Sequence, residues 1–252
     1  MKSFKKDNLT VEIYENRTLM GEHAAMDIKE KIAELLKTKP EINMIFAAAP
    51  SQNDVLKALA EDETIEWGRV NAYHMDEYTG LDKDAPQGFG NFLKAHIFAL
   101  ANFKSVNYID ISAEDPEAEA VRYGKLLSEN PTDIVIMGIG ENGHIAFNDP
   151  PVADFSDDKV VKVVKLDEIC RQQQVNDGCF KSIDDVPTHA MTLTVPTLVK
   201  APYLFCIVPC ATKANAVYET INGTIDEHCP ASVLRLHDNA KLYLDNESSK
   251  LL

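Results

Sequence analysis

The chain has 252 residues, 45% hydrophobic and 26% charged, which is ample apolar material for a buried core. Its 25 Lys and Arg stand against 40 Asp and Glu, a net charge of −15. That balance speaks against nucleic-acid and anionic-membrane partners, which demand a positive surface, and leaves a small phosphorylated ligand feasible only where donors cluster locally. The basic first residues are not followed by an apolar run, so no signal peptide is expected. No stretch approaches the roughly 20 apolar residues that span a bilayer. Five cysteines (Cys170, Cys179, Cys206, Cys210, Cys229) form an odd set without tight pairing, which predicts reduced thiols and a cytoplasmic setting. Cys206 and Cys210 lie four apart on what reads as a strand end. No further Cys or His stands at ligand spacing, and no metal site is expected there.

In chain order, residues 19–37 carry apolar positions at helical spacing, closed by Pro40. Residues 42–48 form a short apolar run of strand length. A loop through Ala49, Pro50, Ser51, Gln52 and Asn53 follows, then a helix over 54–62. The run 70–75 reads as a second strand ending at Asp76. Helices are predicted over 88–100 and 115–128, a buried strand over 133–137, and another strand over 203–209. A helix over 212–221 and a last strand over 241–245 complete the pattern. Near-continuous apolar strands alternating with amphipathic helices predict an α/β fold, a mainly parallel doubly wound sheet with helices on both faces. No repeat, low-complexity segment or linker divides the chain, so residues 1–252 are expected to form one domain.

In such sheets ligands bind outside the carboxyl ends of the strands. Three polar segments follow strands directly, at 50–53, 76–80 and 138–150. The last opens Gly138-Ile139-Gly140-Glu141-Asn142-Gly143, the G-x-G-x-x-G pattern. A dinucleotide site would need a helix to begin inside it, and the proline-rich continuation through Pro150 and Pro151 argues against one. The alternative is a tight turn that presents Asn142 and His144. His144 is either a structural histidine or an acid–base group, with Asp149 close enough in sequence to set its tautomer. Asp76 and Glu77 are adjacent on an extended segment, so at most one faces a cleft. That carboxylate is either part of a solvated turn or a base for a C–H bond beside a carbonyl. Ser51, Gln52 and Asn53 either cap a helix or offer their N–H groups to a phosphate. Lys213 is either a surface lysine or the positive charge an acidic protein needs for a phosphate.

Taken together these residues resemble the glucosamine-6-phosphate deaminase/isomerase family. The stretch 75–81 is similar to that family's Met-Asp-Glu-Tyr segment, 138–150 to its Gly-His-Ile-(Ala/Gly)-Phe-Asn-Glu-Pro signature, and 231–237 adds further support. The resemblance covers nearly the whole chain. It implies conversion of glucosamine 6-phosphate, or an epimer such as galactosamine 6-phosphate, to a ketose 6-phosphate and ammonia. By that analogy His144 assists ring opening, Asn142 and Asp149 orient it, and Asp76 removes the C2 proton. The phosphate would rest on Ser51, Gln52 and Asn53, with Lys213 as the phosphate lysine, and Gly143 would also contact the substrate. Neither metal nor organic cofactor is implied.

Three departures stand out. Side chains occupy the 49–53 turn where the family usually has a glycine pair. Asp149 replaces the signature glutamate. The family's phosphate-binding arginine has no clean match, and only Arg171 offers a guanidinium in that region. Two rivals remain at this stage: a 6-phosphogluconolactonase-like hydrolase on the same type of fold, and a sugar-phosphate-binding regulatory domain without turnover. Ile145-Ala146-Phe147-Asn148 after His144 favours the isomerase over the lactonase. Nothing in the sequence fixes an oligomeric state.

Overall fold

A computed structural model describes residues 1–252. In chain order it contains β1 (Lys2–Lys6), β2 (Leu9–Tyr14), α1 (Arg17–Leu36), β3 (Ile42–Phe46), α2 (Asn53–Ala60), β4 (Val70–His74) and β5 (Asp76–Tyr78). There follow α3 (Phe89–Leu93), β6 (Ser105–Asn107), α4 (Pro116–Glu129), β7 (Ile134–Met137), β8 (Val161–Lys165) and α5 (Glu168–Asn176). The chain ends with β9 (His189–Leu193), α6 (Val195–Val199), β10 (Tyr203–Val208), α7 (Ala214–Asn222) and β11 (Ala240–Asp245).

An eight-stranded sheet runs in the order β1-β2-β11-β10-β7-β3-β4-β6. Every pairing in it is parallel except β1 with β2. Alternation along β3 shows why helices must cover both faces. Ile42, Met44 and Phe46 join one apolar cluster with Met20, Ala24, Ile28 and Ile32 of α1 and Val55, Leu56 and Leu59 of α2. Ile45 and the following Ala47 join a second cluster with Ala120, Tyr123 and Leu127 of α4 and Ala216 and Val217 of α7. The expected doubly wound α/β fold is therefore present. The helices begin where local chemistry dictates: Asn16 accepts from the Leu19 N–H at the start of α1. Asp115 accepts from the Glu117 and Ala118 N–H groups ahead of Pro116 in α4.

Strand order reverses between β3 and β7. From β3 the chain builds outward to β4 and β6; from β7 it builds the other way to β10 and β11. This is the switch point at which doubly wound sheets bind ligands.

Two readings need correction. The 76–80 segment is not the solvated turn that stood as one alternative. At Met75 the chain leaves the large sheet, and Asp76–Tyr78 becomes the edge of a separate antiparallel sheet ordered β5-β9-β8. Its partner lies more than a hundred residues on, so no local pattern could announce it. The predicted helix over 88–100 is also divided, into α3 and a wider π turn over Lys94–Phe98. No helix of the chain is long and apolar enough to cross a membrane.

Candidate active site

A cleft of about 220 Å³ opens at the carboxyl ends of β3, β7 and β10, lined by Arg17, Ser51, Gln52, Asp76, His144 and Lys213 among others. It lies at the switch point.

The glycine pattern after β7 makes a turn. The Gly143 N–H donates to the Gly140 carbonyl at 3.1 Å and the Gly140 N–H to the His144 carbonyl at 2.9 Å. Gly143 adopts φ +83, and a Cβ there would lie 2.7 Å from Cys229 Sγ. A Cβ on Gly140 would lie 2.1 Å from the His144 ring, so the imidazole packs directly on bare backbone. No helix begins between 138 and 150, which removes the dinucleotide reading.

The turn fixes the histidine. His144 Nδ1 lies 2.7 Å from Asn142 Oδ1 and 2.9 Å from Asp149 Oδ1, while Asn142 Nδ2 donates to Asp149 Oδ1 at 3.0 Å. Both groups facing Nδ1 are acceptors in this arrangement, so Nδ1 carries a proton, and in the neutral ring Nε2 is the nitrogen that keeps a lone pair. Burial alone would raise the Asp149 carboxyl. The imidazole, the Asn142 amide and the Cys170 thiol outweigh it and hold Asp149 below the usual range. The ligand atoms of His144, Asp149 and Cys170 lie within 4.8 Å of one another. They cluster behind the cleft, His144 and Asp149 in direct contact and the fully buried Cys170 thiol packed beside them.

Asp76 is 7% exposed. Burial, and then the neighbouring Glu77, push its carboxyl well above the usual range. Glu77 points away from the cleft and accepts from the Tyr78, Phe89 and Gly90 N–H groups at 2.9–3.0 Å. It thereby pins the start of α3, whose Phe89 lines the cleft. What brings the two key loops together is β9. Asp76 pairs with Thr192 in register. The Thr192 hydroxyl accepts from the Phe147 N–H at 3.1 Å, and buried Asn148 donates to the Leu193 carbonyl at 2.8 Å. One strand therefore holds both the Asp76 segment and the loop that follows His144.

The other predicted residues divide. Ser51 and Gln52 line the cleft, but Asn53 does not; it opens α2. The Gln52 and Asn53 N–H groups are spent within the turn, on the Ala49 and Pro50 carbonyls. Ser51 Oγ accepts from Gln52 Nε2 at 3.0 Å, which leaves its own O–H free to donate. Gly143, Asn142 and Asp149 shape the site from behind and do not line it. Lys213 follows β10, lines the cleft at 6% exposure, and burial lowers its pKa. Arg171 lies outside the cleft, donating to the Ile183 and Val186 carbonyls at 2.6 and 2.9 Å. Sequence reasoning missed Arg17. Its signal was its place just past β2, a strand whose half-buried alternation and hairpin partner had not been recognised as part of the sheet.

A switch-point cleft that brings a desolvated carboxylate and a buried imidazole together is the kind of site found in α/β enzymes. Residues 15–243 match the family model described as glucosamine-6-phosphate isomerases/6-phosphogluconolactonase. Glucosamine-6-phosphate deaminase from Listeria innocua is 35% identical over 234 residues, covering 93% of this chain and 96% of that protein. The Clostridium acetobutylicum deaminase is 31% identical over 237 residues, covering 92% and 95%. A solved structure of a monomeric glucosamine-6-phosphate deaminase superimposes with TM-score 0.87 at 29% identity, covering 96% of this chain and 99% of the other. The 6-phosphogluconolactonase from Thermotoga maritima, at TM-score 0.75 and 21% identity over 94% and 99%, shares the fold. The chain belongs to the glucosamine-6-phosphate isomerase/6-phosphogluconolactonase family.

Proposed function

We propose that this enzyme converts glucosamine 6-phosphate and water to fructose 6-phosphate and ammonia. The observation that carries the reading is the placement of Asp76 and His144 in one cleft, with the His144 Nδ1 proton held by Asn142 and Asp149. His144 Nε2 takes the proton from the anomeric hydroxyl and delivers it to the ring oxygen, so the pyranose opens to the aldehyde. Asp76 then removes the proton from C2. The electron pair shifts to give an enolamine, C1 is reprotonated, and water hydrolyses the resulting ketimine to ketose and ammonia. Desolvation makes Asp76 a stronger base than a surface carboxylate, and a protonated substrate amine would favour its ionised form.

The deaminase activity of the relatives supports this reaction over lactone hydrolysis, since the lactonases resemble this chain at only 21% identity or less and share its fold alone. The same machinery would accept the C4 epimer if the cleft tolerates an axial hydroxyl. The test is ammonia release from glucosamine 6-phosphate and from galactosamine 6-phosphate, run beside hydrolysis of 6-phosphogluconolactone. Ammonia from either hexosamine supports the reading. Lactone hydrolysis without ammonia replaces it with the hydrolase, and binding without product replaces it with a sensing role. A cytoplasmic location and a lack of nucleic-acid or membrane partners belong to the same proposal, motivated by the net charge of −15.

A further inference from the structure

The cleft has a cationic end. Lys213 lies there, more than nine-tenths buried, with no carboxylate at ion-pair distance. A buried, unpaired ammonium facing a cleft calls for an anion. The turn expected to greet that anion keeps only the Ser51 backbone N–H, because the Gln52 and Asn53 N–H groups are already bonded and Pro50 has none. A second cation does stand at the cleft: Arg17, the first residue of α1.

Arg17 is held from behind. Its Nε donates to Asp54 Oδ2 at 2.7 Å, and its Nη2 reaches the same carboxylate at 2.6 Å and the Pro50 carbonyl at 2.9 Å. Nη1 has only Cys210 Sγ, at 3.8 Å, a weak acceptor. The guanidinium is thus fixed by two of its nitrogens and keeps the third in reserve. Close helix contact sets its position: a Cβ on Gly21 of α1 would lie 2.5 Å from Asp54 Cβ of α2. Cys210, which lines the cleft beside it, adopts φ +80, ψ +146, a conformation that favours glycine.

We infer that Arg17 is the phosphate-binding arginine of this enzyme, with its free Nη1 group, the Lys213 ammonium and the Ser51 hydroxyl converging on the substrate's phosphate. This rests on the hexosamine-phosphate reading above and adds how that phosphate is held. A guanidinium from α1 takes over a duty for which residues 170–180 supply no guanidinium in the cleft. The Asp54 pair pre-organises the fork, so little side-chain entropy is lost when the anion arrives.

Calorimetric titration with inorganic phosphate and with fructose 6-phosphate tests it on the wild type and on Arg17→Gln, Arg17→Lys and Asp54→Asn. Arg17→Gln is expected to weaken both ligands roughly tenfold or more, as for loss of a charge-assisted hydrogen bond. In turnover its KM should rise by a similar factor, with kcat moving far less. Arg17→Lys should recover part of the affinity. Asp54→Asn, which breaks the same ion pair but keeps the charge, should lower the melting temperature yet weaken phosphate far less. The proposal is overturned if Arg17→Gln binds both anions as wild type does, or if Asp54→Asn weakens them equally. Should Arg17→Gln fail to fold, Arg17→Lys decides by the same comparison. Anion binding by the wild type without ammonia release would sink the deaminase reading and leave the subsite standing; no anion binding by the wild type would remove the subsite.

Discussion

Asp76 is a carboxylate kept out of water with no counter-charge from the protein beside it, and its chemistry follows from that isolation. Replacing it by Asn would remove the base proposed above but not the shape. C2 hydrogen exchange with solvent should then fall about 10²–10⁴-fold, the usual worth of a positioned base, while product binding by calorimetry stays close to wild type. Exchange at the wild-type rate would dismiss the assignment. Lys213 carries a different pH signature. Burial lowers its pKa, so its charge is lost as pH rises through a value below that of an ordinary lysine. KM for the phosphosugar should therefore climb on the alkaline side. In Lys213→Arg, which does not titrate there, the KM profile should stay flat over the same range. An alkaline rise that survives this replacement would assign it to another group.

At the scale of elements, the turn after β7 works because it lacks side chains where the imidazole must lie. Gly140→Ala would put a methyl 2.1 Å from the His144 ring. Displacing that ring by even about 1 Å is expected to cost on the order of 10² in turnover, with a cooperative melt retained; unchanged activity would mean that the ring position does not matter. Strands such as β3, β7 and β10 were legible in the sequence because both of their faces are covered, and continuous apolar runs such as Ile134–Met137 have no other simple meaning. The turn that presents His144 was legible for the same kind of local reason. The small sheet was not. Asp76–Tyr78 is three residues long, and its pairing with β9 bridges more than a hundred positions. Arg17 escaped notice because the half-buried alternation of β2 does not announce that it joins the parallel sheet beside β11. The His144–Asn142–Asp149 contacts lay within eight residues and could be anticipated; the Cys170 thiol behind Asp149 could not.

For the whole molecule, burying acidic groups near the junction of the two sheets ties stability to pH. The Glu77 carboxyl is pushed up to about 7, by burial that outweighs three backbone N–H donors, against 4.5 for the free group. The folded protein holds this proton more tightly than the unfolded chain does. Stability from this group is therefore complete below about pH 4.5 and is lost as pH rises through 7, by about 3 kcal/mol at most. Carboxyls held below their usual range, such as Asp149, act in the opposite sense and only toward acid pH. Urea unfolding between pH 4.5 and 8 should show the decline in the wild type and a flatter profile in Glu77→Gln, whatever that variant's absolute stability. Equal slopes would place the coupling elsewhere. The middle strand of the small sheet has a consequence of its own. Since β9 is the common spar for both reactive groups, damage along His189–Leu193 cannot spoil one proton transfer and spare the other. Random replacements there should yield variants that are either unaffected or deficient in ring opening and isotope exchange together, whereas isolated defects should map to the loops.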